Sequence, residues 1–232
     1  MIEDYFSFCQ KYPIISSSVF ITFIPIALSF YRKSYISKAF SFLLIYLVTK
    51  LVIDLLMFHF ASQRQSSVIF YNLSIPAYYC LLSGMYYVMF DTSRYKIFVL
   101  WSIPIFTIFS VWDIVHVNKD LTNLHDYRIP LYAGTIQSLL MILWILLYLY
   151  ETIKLLKIPN LFKFPFFWVC SGFLLYFSSQ VFIASVLHYT EQWINPLDLG
   201  FVYNVPYIFE IVCAILISIA IWIFSPADYA KQ

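Results

Sequence analysis

An all-helical membrane bundle of seven spans is the fold this sequence predicts, and three observations predict it. Hydrophobic residues make up 62% of the 232 residues, charged residues 11%, and the mean hydropathy is +0.81. A soluble chain of that length has no core large enough to hide so much apolar surface. The apolar residues also fall into continuous runs of about 20, the length a helix needs to cross roughly 30 Å of hydrocarbon. Barrel strands would instead alternate apolar and polar residues in short segments. The chain therefore reads as a single seven-helix transmembrane domain over residues 1–232, multi-pass in a bacterial inner membrane with the lipid bilayer as its solvent.

The expected spans follow in order. The first covers residues 14–31, contains Pro25 and ends in the basic loop Arg32, Lys33 and Lys38. The second covers residues 39–61. A polar link leads to the third, residues 68–90, with Asn72, Pro76 and Gly84. The fourth, residues 97–117, carries Pro104 and has Asp113 and His116 near its far end. After the longest loop comes the fifth, residues 131–150, apolar apart from Gln137. The sixth, residues 165–189, opens on Pro165, a favoured residue in a first helical turn. The seventh, residues 201–224, contains Asn204, Pro206 and Glu210. Its internal prolines are expected to kink the spans that hold them.

The second run carries Lys50 at its midpoint. A charged side chain there costs about 2.5–3.5 kcal/mol on insertion scales and is not left facing lipid. Asp54 follows one helical turn later, about 6 Å along the axis, and Tyr46 precedes by one turn on the same face. Lys before Asp at this spacing is the less favourable order for an intrahelical pair, which points to a partner on another helix. Glu210, near the centre of the seventh run, is that candidate.

Seven spans put the two termini on opposite sides. The loops on one side carry nine Lys and Arg residues, those on the other side four. The positive-inside rule then places the amino terminus outside and the carboxyl terminus in the cytoplasm. In that orientation Lys50 and Glu210 lie near the midplane, Asp54 somewhat outward, and Asn72, Gln180 and Asn204 in the outer half. The expected result is an outward-facing polar cavity floored by Lys50, Asp54 and Glu210, with Tyr46, Asn72, Gln180 and Asn204 around it as a ligand or proton site. If all three charged groups meet, one cation faces two carboxylates, and a shared proton would suit a proton-coupled carrier or a pH-sensitive sensor. The competing reading is a buried ion pair that fixes helix register.

Other chemistry is thin. The four histidines, His59, His116, His125 and His188, fall at external helix ends or in an external loop, where protonation sensing is one use for them. Asp113 and His116 at i, i+3 could present two metal ligands, completed by His59 or His188 only if those helix ends meet. None of the stricter zinc spacings is present, so no metal is assigned. Cys9, Cys80, Cys170 and Cys213 show no C-x-x-C spacing and imply neither a disulfide nor a zinc cluster. No polybasic run occurs, and the net charge is only +2, which excludes nucleic acid as a partner. The acidic start, with Glu3 and Asp4, does not read as a cleaved signal, so the first span is expected to remain. Nucleotide loops and the common hydrolase and metalloprotease signatures are missing, so neither a cofactor nor an enzymatic activity is assigned. An embedded enzyme using Lys50, Asp54 and Glu210 is a further alternative.

Short loops, an external amino terminus and segments such as FWVCSGFLLYFSS (residues 167–179) and YNVPYIFEIVCAILISIAI (residues 203–221) resemble the small bacterial seven-helix regions that precede sensor histidine kinases. The resemblance implies sensing at or outside the membrane, with the signal passed to a cytoplasmic signalling protein. Here that protein would be a separate chain, because no kinase follows. The seventh run has no lysine for a retinal Schiff base, unlike microbial rhodopsins. A carrier is the alternative. The third and seventh runs open similarly, Tyr71-Asn72 before Pro76 and Tyr203-Asn204 before Pro206, as in a three-plus-one-plus-three repeat of the small sugar-transporter type. The second and sixth runs do not match, since Lys50 and Asp54 have no counterpart in the sixth.

Overall fold

The computed structural model describes residues 2–118, 127–154, 161–190 and 200–225. All long elements among them are helices, and seven are long and apolar enough to cross a membrane. The first span is a pair, α2 (Pro13–Ile21) and α3 (Phe23–Tyr31). The others are α4 (Lys38–Ser62), α5 (Val68–Met89), α6 (Ser93–Val117), α7 (Leu131–Lys154), α8 (Pro165–Thr190) and α9 (Gly200–Ile223). An additional short helix, α1 (Ile2–Lys11), precedes them.

Two features depart from the sequence reading. The first span is not one unbroken helix: Pro25 has no N–H to return to the Ile21 carbonyl and crowds it, so the ladder is interrupted at Thr22. The Thr22 hydroxyl turns back to the Ser18 carbonyl at 3.3 Å. Pro76, Pro104 and Pro206, by contrast, sit inside helices that run through them. The second departure is α1, whose half-polar sequence IEDYFSFCQK is no span. Glu3 and Asp4 occupy its first turn and Lys11 its last, in the sense that complements the helix dipole. Pro13 ends it by pushing Tyr12 out of the helical region. Its apolar face rests on α4, with Tyr5 stacked on Phe58 at 5.9 Å and Phe8 edge-on to the same ring at 5.2 Å.

Neighbouring spans run around the bundle as first, second, third, fifth, sixth, seventh and back to first. The fourth, α6, lies outside that ring against α5 and α7. Because lipid tails are as apolar as the helices, tight van der Waals packing and internal polar contacts hold such a bundle together. α8 and α9 meet at Gly172, where a Cβ would come within 3.3 Å of the Cys213 carbonyl oxygen. α4 and α5 meet at Gly84, where a Cβ would lie 2.8 Å from the Phe42 ring edge.

The antiparallel pair α6 and α7 is joined by reciprocal acidic caps. Asp113, near the end of α6 and 1% exposed, accepts the Ala133 N–H in the first turn of α7 at 2.8 Å. Glu151, near the end of α7 and 5% exposed, accepts the N–H groups of Thr92 at 2.8 Å and Asp91 at 3.3 Å where α6 begins. A carboxylate near the C-terminus of its own helix is poorly placed, but each here lies at the positive end of its neighbour and satisfies amides left without intrahelical acceptors.

Replacing Asp113 or Glu151 by Ala should therefore lower unfolding stability by about 1–3 kcal/mol each, measured by denaturant titration in detergent. Losses below a few tenths would show that the caps do not bear on stability. Gly172→Val should lower the thermal midpoint more than Gly84→Val, because the α9 backbone cannot step aside whereas the Phe42 ring can swing.

Candidate functional site

The arrangement around Lys50 begins with helix register. Lys50 stands at the middle of α4, and α9, separated from α4 in the ring by the first span, carries Glu210 near its own middle. Lys50 is 8% exposed, and its ammonium donates to Asp54 Oδ2 on its own helix and to Glu210 Oε1 across the bundle. One cation thus faces two carboxylates. Tyr46, one turn earlier and 3% exposed, meets Tyr78 of α5 at 5.3 Å and Phe173 of α8 at 5.6 Å, both edge to face. Toward the Lys38 end of α4 the packing is aromatic: Phe40 lies 4.5 Å from Phe166 and 4.7 Å from Phe224.

Two cavities border the cluster. A half-enclosed one of about 180 Å³ lies toward the Ser62 end of α4, lined by Asp54, Glu210, Ser18, Ser67 and Tyr207, with Phe8 of α1 and Phe58 in its wall. The other, of about 20 Å³, is lined by Tyr46, Lys50, Glu210, Thr22 and Cys213. Glu210 borders both. The larger is small beside the 300–1,000 Å³ or so of sites for drug-sized ligands, so it suits water, ions or very small solutes.

Of the residues that the sequence placed in one site, the structure brings Lys50, Asp54, Glu210 and Tyr46 together. Asn72 belongs elsewhere. It is 1% exposed, and its amide donates to the Arg128 carbonyl at 3.1 Å, where Asn118 also donates at 3.2 Å and accepts the Arg128 N–H at 2.6 Å. Asn72 helps to pin the segment that enters α7, because a non-helical backbone at a bundle end needs internal partners. Gln180 is half-buried on α8 and makes no hydrogen bond to the Lys50 cluster. Asn204 is half-buried on α9, six residues from Glu210 and on a different face.

The proposed pair of metal ligands is separated. Asp113 is buried against the start of α7, whereas His116 is exposed and stacks on Trp112 at 5.2 Å. His59 shares a hydrogen bond with the Tyr5 hydroxyl of α1. His125 and the side chain of His188 lie outside the described residues, and among those described no three His, Cys, Asp or Glu side chains gather. Tyr207 escaped the sequence reading although it stands three residues before Glu210, on the same helical face. Ser18 carried no sequence signal. Compared with known proteins, the chain matches no family model, no curated protein and no solved structure.

Lys50→Met alone should destabilise the protein by about 3–5 kcal/mol, since it strands two half-buried carboxylates, while the triple change with Asp54→Asn and Glu210→Gln should recover most of that loss. Thermal unfolding in detergent checks it. A single change as harmless as the triple would mean that water already compensates the carboxylates.

Proposed function

We propose that this multi-pass membrane protein is a sensory or signalling component that reads a small ligand or a proton from the outer side. Its amino terminus lies outside, its carboxyl terminus in the cytoplasm, and it hands the signal to a cytoplasmic signalling partner. The observation that carries this reading is the one-sided placement of polar space. The cavity reaching Asp54 and Glu210 lies toward the Ser62 end of α4, the end that the positive-inside rule assigns to the outside. The opposite half is closed by packed aromatic rings around Phe40. A receptor needs access from one side only, whereas a carrier needs polar contacts on both sides of the midplane.

A change of charge at the cluster has a mechanical route outward. Lys50 ties α4 to α9, and α9 packs along α2, α3 and α8. At the far end of α9, Arg32 donates to the Phe224 carbonyl at 3.0 Å and lies over the Trp222 ring at 5.7 Å. Loosening the bond to Glu210 therefore frees a helix whose other end meets the basic loop after α3. In its resemblance to the membrane regions of sensor kinases the chain has the topology for such a relay.

A carrier is the second reading, favoured by one observation. The ring order with α6 outside is what two three-helix units joined by a linker helix would give. Against it, Asn72 serves a loop rather than the cavity, so the matching openings of the third and seventh spans do not form matching site walls.

Three measurements decide. Reporter fusions at both ends should place the carboxyl terminus in the cytoplasm and the amino terminus outside. In nanodiscs, spin labels at positions 33 and 163 should change separation when the external pH or salt changes, and Glu210→Gln should abolish the change. Solute uptake into proteoliposomes without such a response would replace the sensor by the carrier.

A further inference from the structure

We propose that the 180 Å³ cavity is a binding site for a small monovalent cation of the sodium type, held by the carboxylates of Asp54 and Glu210. This rests on reading the cluster as a working site and names what it binds.

Charge balance points first to the occupant. Lys50 is the one cationic neighbour of Glu210 among the described residues, while Asp54 adds a second negative charge. Tyr46, Tyr78, Tyr176, Tyr207 and Cys213 are the other ionisable groups facing the cluster, and none brings a positive charge. With both carboxylates ionised the set holds one excess negative charge, which is costly at the centre of a spanning bundle, and one further cation removes it. A monovalent ion balances the set, whereas a divalent ion would overshoot by as much as the deficit.

The donor set comes next. Lys50 occupies one oxygen of each carboxylate, leaving Asp54 Oδ1 and Glu210 Oε2 without a hydrogen-bond partner among the described residues. Ser18, Ser67 and Tyr207 add hydroxyls, and neither a thiol nor an imidazole lines this cavity. Met57 adds a thioether to the wall, but the carboxylate and hydroxyl oxygens make up its polar lining, and such donors select hard cations over transition metals. The volume admits a small ion with several waters.

A separate observation lies on the far side of Glu210. The Tyr46 side chain, 3% exposed, makes no hydrogen bond to any described residue and borders the 20 Å³ void together with Lys50 and Glu210. That void is large enough for one water, which Tyr46, Lys50 and Glu210 could hold between them. Glu210 is thereby steadied from behind while its other oxygen faces the cation.

The test uses the full chain in nanodiscs and radioactive Na+ as probe. Binding should be saturable, displaced by unlabelled Na+ or Li+ and not by choline at equal ionic strength. Glu210→Gln and Asp54→Asn each remove the excess charge and should weaken binding at least tenfold. Tyr207→Phe deletes one hydroxyl and should weaken it several-fold, keeping the test alive if either neutral variant fails to fold. Absence of saturable binding overturns the proposal, as does binding that all three variants leave unchanged. A thermal midpoint that follows pH and ignores Na+ makes the proton the sole counterion and overturns it too. Na+ binding without any movement of the spin labels at 33 and 163 would retain the cation site and remove the signalling reading. Movement driven by pH alone would do the reverse.

Discussion

Electroneutrality at the membrane midplane is the constraint on which this structure depends. A lysine in the middle of α4 is tolerable only if carboxylates reach it, and they must come from a fixed position on the same helix and a fixed position on another. Asp54 meets the first condition and Glu210 the second. The bond to Glu210 sets the axial register of α9 against α4, and α9 in turn packs on both halves of the broken first span and on α8. Apolar contact alone would not do this, because helices in lipid gain little from burying one apolar face against another. Packing supplies tightness at Gly172 and Gly84. Charge supplies position.

Away from the cluster, several buried polar side chains are spent on backbone. Asp113 and Glu151 cap each other's helices, Asn118 and Asn72 hold the segment around Arg128, and Thr22 turns its hydroxyl to the Ser18 carbonyl where the first span breaks. Each answers the same demand: where a helix ends or a ladder is interrupted in the bundle, the freed amides and carbonyls need partners that lipid cannot provide. That demand separates the polar residues into two sorts. One sort satisfies backbone groups and is complete within the protein. The other, Lys50 with its two carboxylates, gathers charged groups around one cation.

This distinction also marks what could be read from the sequence. Span limits were legible to within a few residues, because continuous apolar runs bounded by charge define them. Lys50 and Glu210 could be matched because each lies near the middle of its run, and depth along a helix is a simple count. The destinations of Asn72 and Asp113 could not, since they depend on where a neighbouring helix begins in space, and a polar residue one or two turns from a helix end looks the same whether it serves a ligand or an amide. α1 was missed for a related reason. Ten half-polar residues make no transmembrane signal, and its place is fixed by two rings, Tyr5 and Phe8, that find Phe58 fifty residues later.

The position of α1 bears on how the cavity can be approached. Phe8 and Phe58 wall the space in front of Asp54 and Glu210, and Tyr5 joins His59 just beyond. An ion or proton coming from that end meets a short amphipathic helix held on α4 by ring contacts to Phe58 and His59 and a hydrogen bond, whereas an approach from the other end meets the rings of Phe40, Phe166 and Phe224 inside the bundle. Moving one peripheral helix disturbs few contacts; parting the core disturbs the contacts that set register. Access on the α1 side therefore disturbs less of the packing than access through the core, and this asymmetry supports the proposed receptor over the proposed carrier.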